Sequence, residues 1–232
     1  MKYGLIGYPI GHSLSPALFK ETHPDLEYDL IETPDFEDAM AIFRRDYAAV
    51  NVTSPFKELA FGAADRADEK TAIIGAANIL RKEADGSISA FNSDYSAVLQ
   101  LLQGHLDPAE PRKVLVIGCG GAGKAAALAS HDLGLETVVA NRTFSRAVEF
   151  CRRTGCGTAA GLKDVKDIIG GCGAVIFTIP DPAGLAEIID NSGVLSIEAN
   201  YRNPSLSGRN VIHGEEWLKS QAESGHAIMI ES

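Results

Sequence analysis

One stretch restricts the fold more than any other: Val114-Leu-Val-Ile-Gly-Cys-Gly-Gly-Ala-Gly123. Its opening apolar run reads as a buried strand, and Gly118, Gly120 and Gly123 have the GxGxxG spacing. An alanine-rich stretch from Lys124 to Leu133 follows as a helix, and Thr137 to Ala140 as the next strand. In that βαβ setting each glycine has a physical task. Gly118 permits the tight turn, Gly120 lets backbone approach a pyrophosphate, and Gly123 allows close helix–strand packing. The helix start, with Gly121 and Ala122 in its first turn, offers N–H donors and a positive dipole end to phosphates.

The tip of the second strand bears on which dinucleotide fits. An NAD site places Asp or Glu there, on the ribose 2′-hydroxyl. This chain has Asn141-Arg142-Thr143, with Arg146 one turn later, and no carboxylate to repel a 2′-phosphate. Arg142 suits stacking on adenine or pairing with phosphate, and Thr143 suits donation to it. The expected cofactor is NADP(H).

Strand and helix patterns alternate along the rest of the chain. Tyr3–Ile6, Tyr28–Ile31, Ala48–Val52, Ala174–Phe177 and Val194–Glu198 read as strands. Phe36, Ala39, Met40 and Phe43 have helical spacing, as do Val98, Leu101 and Leu102 in a helix opened by Asp94. Asn78–Arg81 and Ser87–Phe91 read as a hairpin across Asp85-Gly86. Such alternation predicts α/β architecture with mostly parallel sheets and crossover helices. Gly104–Arg112, with Pro108 and Pro111, reads as the linker. The expectation is two α/β domains flanking a cleft: 1–103, and a Rossmann domain over 104–213, with the 214–232 helix packing back near the first.

The 232 residues carry a formal net charge of −10, with no basic block, which argues against nucleic acid and anionic membranes as partners. No apolar run reaches transmembrane length, and MKYGLIGYPIGHS reads as a strand and not a signal peptide. Cys119, Cys151, Cys156 and Cys172 form no CxxC pair and have no zinc spacing, so no metal is expected. They read as reduced thiols of a cytoplasmic protein, a Cys151–Cys156 redox pair being the less favoured alternative.

The N-terminal half concentrates small polar groups. Asn51-Val52-Thr53-Ser54-Pro55-Phe56-Lys57 runs from a strand into a turn, with Asn51 and Thr53 on one face. Pro55 is expected in the first turn of the following helix, holding Lys57 at the strand's mouth. Ser13 and Ser15 precede a helix at Pro16, Asn78 ends Gly75-Ala-Ala-Asn78, and Asp94 follows Asn92-Ser93 at another helix start. Each has an ordinary structural explanation, as a cap or a turn residue. Their number makes that explanation implausible for all of them together.

In this order and with these separations, GYPIGHSLSP, NVTSPFK, GAAN, NSD, GCGGAGKA and NRT resemble the shikimate dehydrogenase family over nearly the whole length. The resemblance implies NADPH-dependent reduction of 3-dehydroshikimate to shikimate, by a monomer or a homodimer. It implies Lys57 and Asp94 as the catalytic pair. Ser13, Ser15, Asn51, Thr53, Asn78, Tyr201 and Gln221 would contact substrate. Thr178 and Gly214 join the glycine turn and the Asn141–Arg146 segment on the cofactor side. The chemistry suits the residues. A polyhydroxylated ring with a carboxylate calls for hydroxyl and amide partners, and a lysine beside the ketone oxygen stabilises developing charge there.

The second half departs from the family pattern. Asp-x-x-Tyr-x-Pro becomes Glu198-Ala-Asn-Tyr201-Arg-Asn-Pro204, with the proline one position late. Gly-x-x-Met-Leu-x-x-Gln becomes Gly214-Glu-Glu-Trp217-Leu-Lys-Ser-Gln221. The position of Trp217 is expected near the nicotinamide, where a wide ring would stack on the cofactor or crowd it. The chain also ends soon after Gln221, where relatives add a further helix. Two alternatives stay open: a quinate/shikimate dehydrogenase using NAD or NADP, and a non-catalytic ligand sensor retaining the fold.

Overall fold

The structure, a computed structural model, describes residues 2–107, 109, 112–180 and 184–231. Its contacts divide the chain into two units, Met1–Ser93 with Gln221–Ser232, and Asp94–Ser220.

The first unit contains β1 (Lys2–Gly7), α1 (Ser15–Thr22), β2 (Glu27–Glu32), α2 (Phe36–Asp46), β3 (Ala49–Val52), α3 (Lys57–Gly62), β4 (Arg66–Ala67), α4 (Glu69–Ile74), β5 (Ile79–Lys82) and β6 (Ile88–Phe91). The sheet order is β2-β1-β3-β5-β6-β4. β1 pairs parallel with β2 and β3, whereas β5 runs antiparallel to β3 and β6. That reversal is the expected hairpin, and Gly86 in its turn takes a φ of 84°, where a side chain would be strained.

Helix α2 forms for local reasons. The Asp35 carboxylate accepts from the N–H groups of Glu37 and Asp38, capping two otherwise unpaired donors. Acidic residues fill its first turn and Arg44 and Arg45 its last, each at the favourable end of the dipole. Its stripe of Phe36, Ala39, Met40 and Phe43 packs with Val50, Val52 and Leu80. Phe43 and Met40 are fully buried, each contributing about 1.5–3 kcal/mol by that burial. A second cluster, Tyr3, Leu5, Phe19, Tyr28 and Ile79, takes Met229 from the last helix. Successive residues of β1 point to opposite faces, so both faces are covered, as parallel strands require.

The second unit opens with α5 (Ser93–His105), whose first residue belongs to the first unit. It continues with β7 (Lys113–Ile117), α6 (Gly121–Asp132), β8 (Glu136–Asn141), α7 (Phe144–Thr154), β9 (Thr158–Gly161), α8 (Val165–Ile168), β10 (Ala174–Phe177), α9 (Leu185–Ser192), β11 (Leu195–Glu198) and β12 (Val211–Ile212). The order is β12-β11-β10-β7-β8-β9, and every pairing is parallel. Leu115, Ile117, Val138, Val175 and Phe177 lie in its core.

The last helix, α10 (Gly214–Ile230), is shared: its residues to Ser220 count with the second unit and those from Gln221 with the first. The contacts thus divide the chain at Ser93–Asp94 and not in the Gly104–Arg112 stretch. Tyr95 donates to Asp132 of α6 at 2.8 Å and Ser220 donates to Gln100 at 2.7 Å, which ties α5 into the second unit. Pro108 and Pro111, on which the linker reading rested, lie outside the described residues. No helix among the described residues is long and apolar enough to cross a membrane.

Candidate active site

The residues singled out in the sequence are divided between the two units. In the first unit Asn78 is the hub. Its carbonyl accepts from the Val52 N–H at 2.8 Å and from the Asn51 side-chain amide at 3.5 Å. Its own side chain donates to Ser93 Oγ and to Gln221 Oε1, both at 3.0 Å, and accepts from the Ser93 N–H at 2.8 Å. Ser93 Oγ donates in turn to Gln221 Oε1 at 3.3 Å. Asn51 Oδ1 accepts from the Tyr28 hydroxyl at 2.7 Å. Asn51, Asn78 and Ser93 are buried, so each bond is made in a poorly solvated setting where an unmade one would cost about 1–3 kcal/mol.

Further main-chain and side-chain bonds tie the neighbouring sequence clusters together. The Ala77 N–H donates to the Lys57 carbonyl at 2.8 Å, fixing the GAAN segment to the start of α3. Asn92 Nδ2 donates to the Ala76 carbonyl at 2.7 Å, bringing in the NSD segment. The Thr53 N–H donates to the Ile6 carbonyl at 2.9 Å, just past the end of β3. Ser13 and Ser15 bond each other, Oγ to Oγ, at 3.1 Å, and the Ser15 N–H also donates to Ser13 Oγ. All four of Ser13, Ser15, Thr53 and Lys57 are half-buried, with side chains reachable from solvent. Pro55 is a correction. The Phe56 N–H closes a turn on the Thr53 carbonyl at 3.0 Å and Phe56 caps α3, so Pro55 lies in that turn and not in the helix.

The second unit builds its set largely from backbone. The Gly118 N–H donates to the Ala140 carbonyl and the Cys119 N–H to Asn141 Oδ1, so the turn is hung on β8. Asn141 Nδ2 donates to the Thr143 carbonyl at 2.9 Å, shaping the segment that carries Arg142. Gly118 has a φ of 114°, and a Cβ there would strike the Thr178 side chain. A Cβ on Gly123 would strike the Gly118 carbonyl. A Cβ on Gly120 would meet nothing within 4 Å, so its absence leaves open space beside the first turn of α6.

That geometry fits a dinucleotide pyrophosphate. The first bond back along α6 is from the Lys124 N–H to the Gly120 carbonyl, so the N–H groups of Gly121, Ala122 and Gly123 have no carbonyl within the helix. Arg142, Thr143 and Arg146 are exposed in the segment that follows β8. Thr178 Oγ1 donates to the Ile117 carbonyl at 2.9 Å, which pins the adjoining strand end. Gly214 has a packing reason to be glycine: a Cβ there would press on the Asn200–Tyr201 backbone. Tyr201 is half-buried in the loop after β11. Glu198, fully buried, holds that loop by accepting from the Ser205 and Leu206 N–H groups at 2.6 and 3.2 Å.

Asp94 lies in the first turn of α5 and is 3% exposed. Its Oδ1 accepts from the Trp217 indole at 3.0 Å. The indole is equally buried, so Trp217 is a structural neighbour of the carboxylate and not an exposed ring. Burial raises the Cys151 and Cys172 thiols to about 11, leaving them protonated near neutrality, and none of the four cysteines forms a disulfide. Among the described residues no group of three or more His, Cys, Asp or Glu is placed to hold a metal ion.

Sequence reasoning missed Tyr28, Ser93 and the Trp217 contact. Ser93 stood inside the NSD segment, and its place directly before Asp94 was the available signal. Tyr28 had no local signal, because β1 separates its strand from that of Asn51 in the sheet.

Known proteins resemble both units. A model of the shikimate dehydrogenase substrate-binding domain matches residues 5–80, and one of the NAD-binding domain of 6-phosphogluconate dehydrogenase matches 113–201. The chain is 36% identical over 186 residues to shikimate dehydrogenase (NADP(+)) of Halorubrum lacusprofundi, covering 75% of this chain and 68% of that one. It is 38% identical over 171 residues to the Halobacterium salinarum protein of that name, covering 70% of this chain and 63% of that one. The match to a bifunctional chloroplastic protein of Arabidopsis thaliana, 3-dehydroquinate dehydratase/shikimate dehydrogenase, is 34% identical over 71% of this chain but only 30% of that one. Several relatives are thus matched over less than two thirds of their length. In structure the chain resembles Thermus thermophilus shikimate 5-dehydrogenase, crystallised with NADP(H) and shikimate. The TM-score is 0.79 at 27% identity, over 99% of this chain and 93% of that one. These matches and the two residue sets lead to one conclusion: the chain belongs to the shikimate dehydrogenase family.

Proposed function

We propose that this chain is an NADP-dependent oxidoreductase that interconverts 3-dehydroshikimate and shikimate. The observation that carries the reading is the hub at Asn78. It joins Asn51, Ser93 and Gln221 from segments far apart in the chain into one interlocked set of amides and hydroxyls. Such groups both donate and accept, which suits a ring bearing several hydroxyls. The paired hydroxyls of Ser13 and Ser15 suit its carboxylate, and Thr53 and Tyr201 extend the hydroxyl set.

Lys57 is the group that moves the proton. In the reducing direction its ammonium stabilises the charge developing on the ketone oxygen and gives that oxygen a proton; in the oxidising direction the neutral amine takes it back. Asp94 is the second member of the catalytic pair and shares the substrate hydroxyl. NADP(H), when bound, supplies or accepts the hydride. Gly118, Gly120, Gly121, Ala122 and Gly123 would hold its pyrophosphate, with Asn141, Thr178 and Gly214 shaping the surroundings. Arg142, Thr143 and Arg146 would meet the 2′-phosphate, which favours NADP(H) over NAD(H).

One assay tests the reading. Purified protein is mixed with shikimate and either NADP⁺ or NAD⁺, and reduced cofactor is followed by absorbance. Turnover with NADP⁺ exceeding that with NAD⁺ is the expected result. Preference for quinate in the same assay would reassign the substrate. No turnover with either cofactor, alongside measurable shikimate binding, would make the chain a ligand sensor.

A further inference from the structure

The structure assigns Trp217 a role in positioning Asp94, an inference that rests on the proposed function. A buried carboxylate in the first turn of α5 meets an equally buried indole from the first turn of α10 at 3.0 Å, across 123 residues of sequence. The indole N–H is a donor only, and a carboxylate oxygen an acceptor only, so the direction of the bond is unambiguous. A bond to an ionised acceptor is among the stronger kinds available.

The surroundings hold both ends in place. Gly214 lies against the Asn200–Tyr201 backbone, which fixes where α10 begins. Ser220 donates to Gln100 at 2.7 Å, a second tie between α10 and α5 in the same unit. Trp217 is therefore not a side chain that swings onto Asp94; its ring is set by packing. A carboxylate turns about one bond at its head. Holding Oδ1 fixes the plane of the group and so determines where Oδ2 lies. With Asp94 serving the substrate hydroxyl, that plane matters, because small misplacements of a reacting group cost large factors in rate. Trp217 acts through Asp94 and does not itself touch the reacting atoms.

The test is a double-mutant cycle on the whole protein. Trp217→Phe keeps an aromatic ring and removes the N–H. It is expected to lower kcat about tenfold, the order of one hydrogen bond to a charged group, with KM for shikimate within about twofold. Asp94→Ala alone lowers kcat further. Adding Trp217→Phe to Asp94→Ala is expected to change nothing more, because the carboxylate it positions is gone. Trp217→Phe with wild-type kcat would overturn the inference, as would an equal further loss in the Asp94→Ala background, the mark of a merely structural ring. Wild-type protein that fails to oxidise shikimate would overturn the functional reading instead and take the role with it. Should Trp217→Phe fail to fold, fluorescence decides. Trp217 is the chain's only tryptophan, so Asp94→Ala is expected to shift the emission of the intact protein, and an unchanged spectrum would overturn the contact.

Discussion

The two units reach their candidate sites by opposite routes. In the first, side chains are buried and interlocked: Asn78 bonds both Asn51 and Ser93. In the second, the glycine turn presents backbone, and Arg142, Thr143 and Arg146 stand exposed. A polyol is recognised by groups that must be aimed, and aiming needs partners. A pyrophosphate is recognised by N–H groups that a helix end already aims, so the requirement there is the absence of a Cβ. The first unit should be sensitive to lost functional groups, and the second to added atoms.

The largest expected effect strikes the chemistry of the first unit. Lys57→Ala should lower kcat by about 10²–10⁴-fold while leaving shikimate binding nearly intact. Steady-state kinetics and calorimetric titration with shikimate check this, and a variant with wild-type turnover would remove Lys57 from the mechanism.

The next concerns the stability of the same unit. His226 is buried against the Phe19 ring, with Thr22 Oγ1 at 3.2 Å from its Nδ1, and burial together with the nearby His23 lowers its pKa to about 4. The ordinary value is about 6.5. Below that pH the unfolded chain takes up a proton that the folded chain refuses. The stability involved is thus present in full above pH 6.5 and lost as the pH falls toward 4, by about 2–3 kcal/mol. Urea unfolding at pH 7 and pH 4.5 should show a smaller drop in His226→Leu than in wild type. Equal drops would mean that His226 titrates normally.

In the second unit an added methyl is the sharper probe. Gly123→Ala drives a Cβ into the Gly118 carbonyl and should cost about 2 kcal/mol of stability. It should also weaken NADP⁺ binding, while Gly120→Ala, whose Cβ enters open space, weakens NADP⁺ binding with the melting temperature nearly unchanged. Equal thermal melts for the two would break the distinction between packing and ligand glycines. The smallest effect is at Arg142. Arg142→Ala should raise KM for NADP⁺ about tenfold and leave KM for NAD⁺ within about twofold; a parallel rise for both would place Arg142 away from the 2′-phosphate.

Legibility followed range. Helix α2 was readable because its cap, its charges and its apolar stripe are all near neighbours in sequence. The hairpin was readable from Asp85-Gly86. Pro55 was misread by two positions because the Thr53–Phe56 turn intervenes before α3, and nothing local distinguishes a proline in that turn from one in the helix. The linker reading gave weight to two prolines, whereas the bond from Tyr95 to Asp132 and the bond from Ser220 to Gln100 tie α5 into the second unit. Glu198 shows how a departure from a family pattern is accommodated in the fold. Its carboxylate reaches the N–H groups of Ser205 and Leu206 beyond Pro204, closing a loop in which the proline comes one residue late.

The sequence by itself determined the βαβ turn, the parallel α/β class, the hairpin and the inventory of groups available for catalysis. Steric limits on backbone and the periodicity of apolar residues act over a few residues, so they are written locally. Only the tertiary structure decided that Asn78 is the hub, that Glu198 holds the Tyr201 loop, and that the lone tryptophan meets Asp94 by its N–H. Those pairings join residues as many as 143 positions apart. A buried polar atom bonds whichever partner the packing brings to it, and packing is a property of the whole fold.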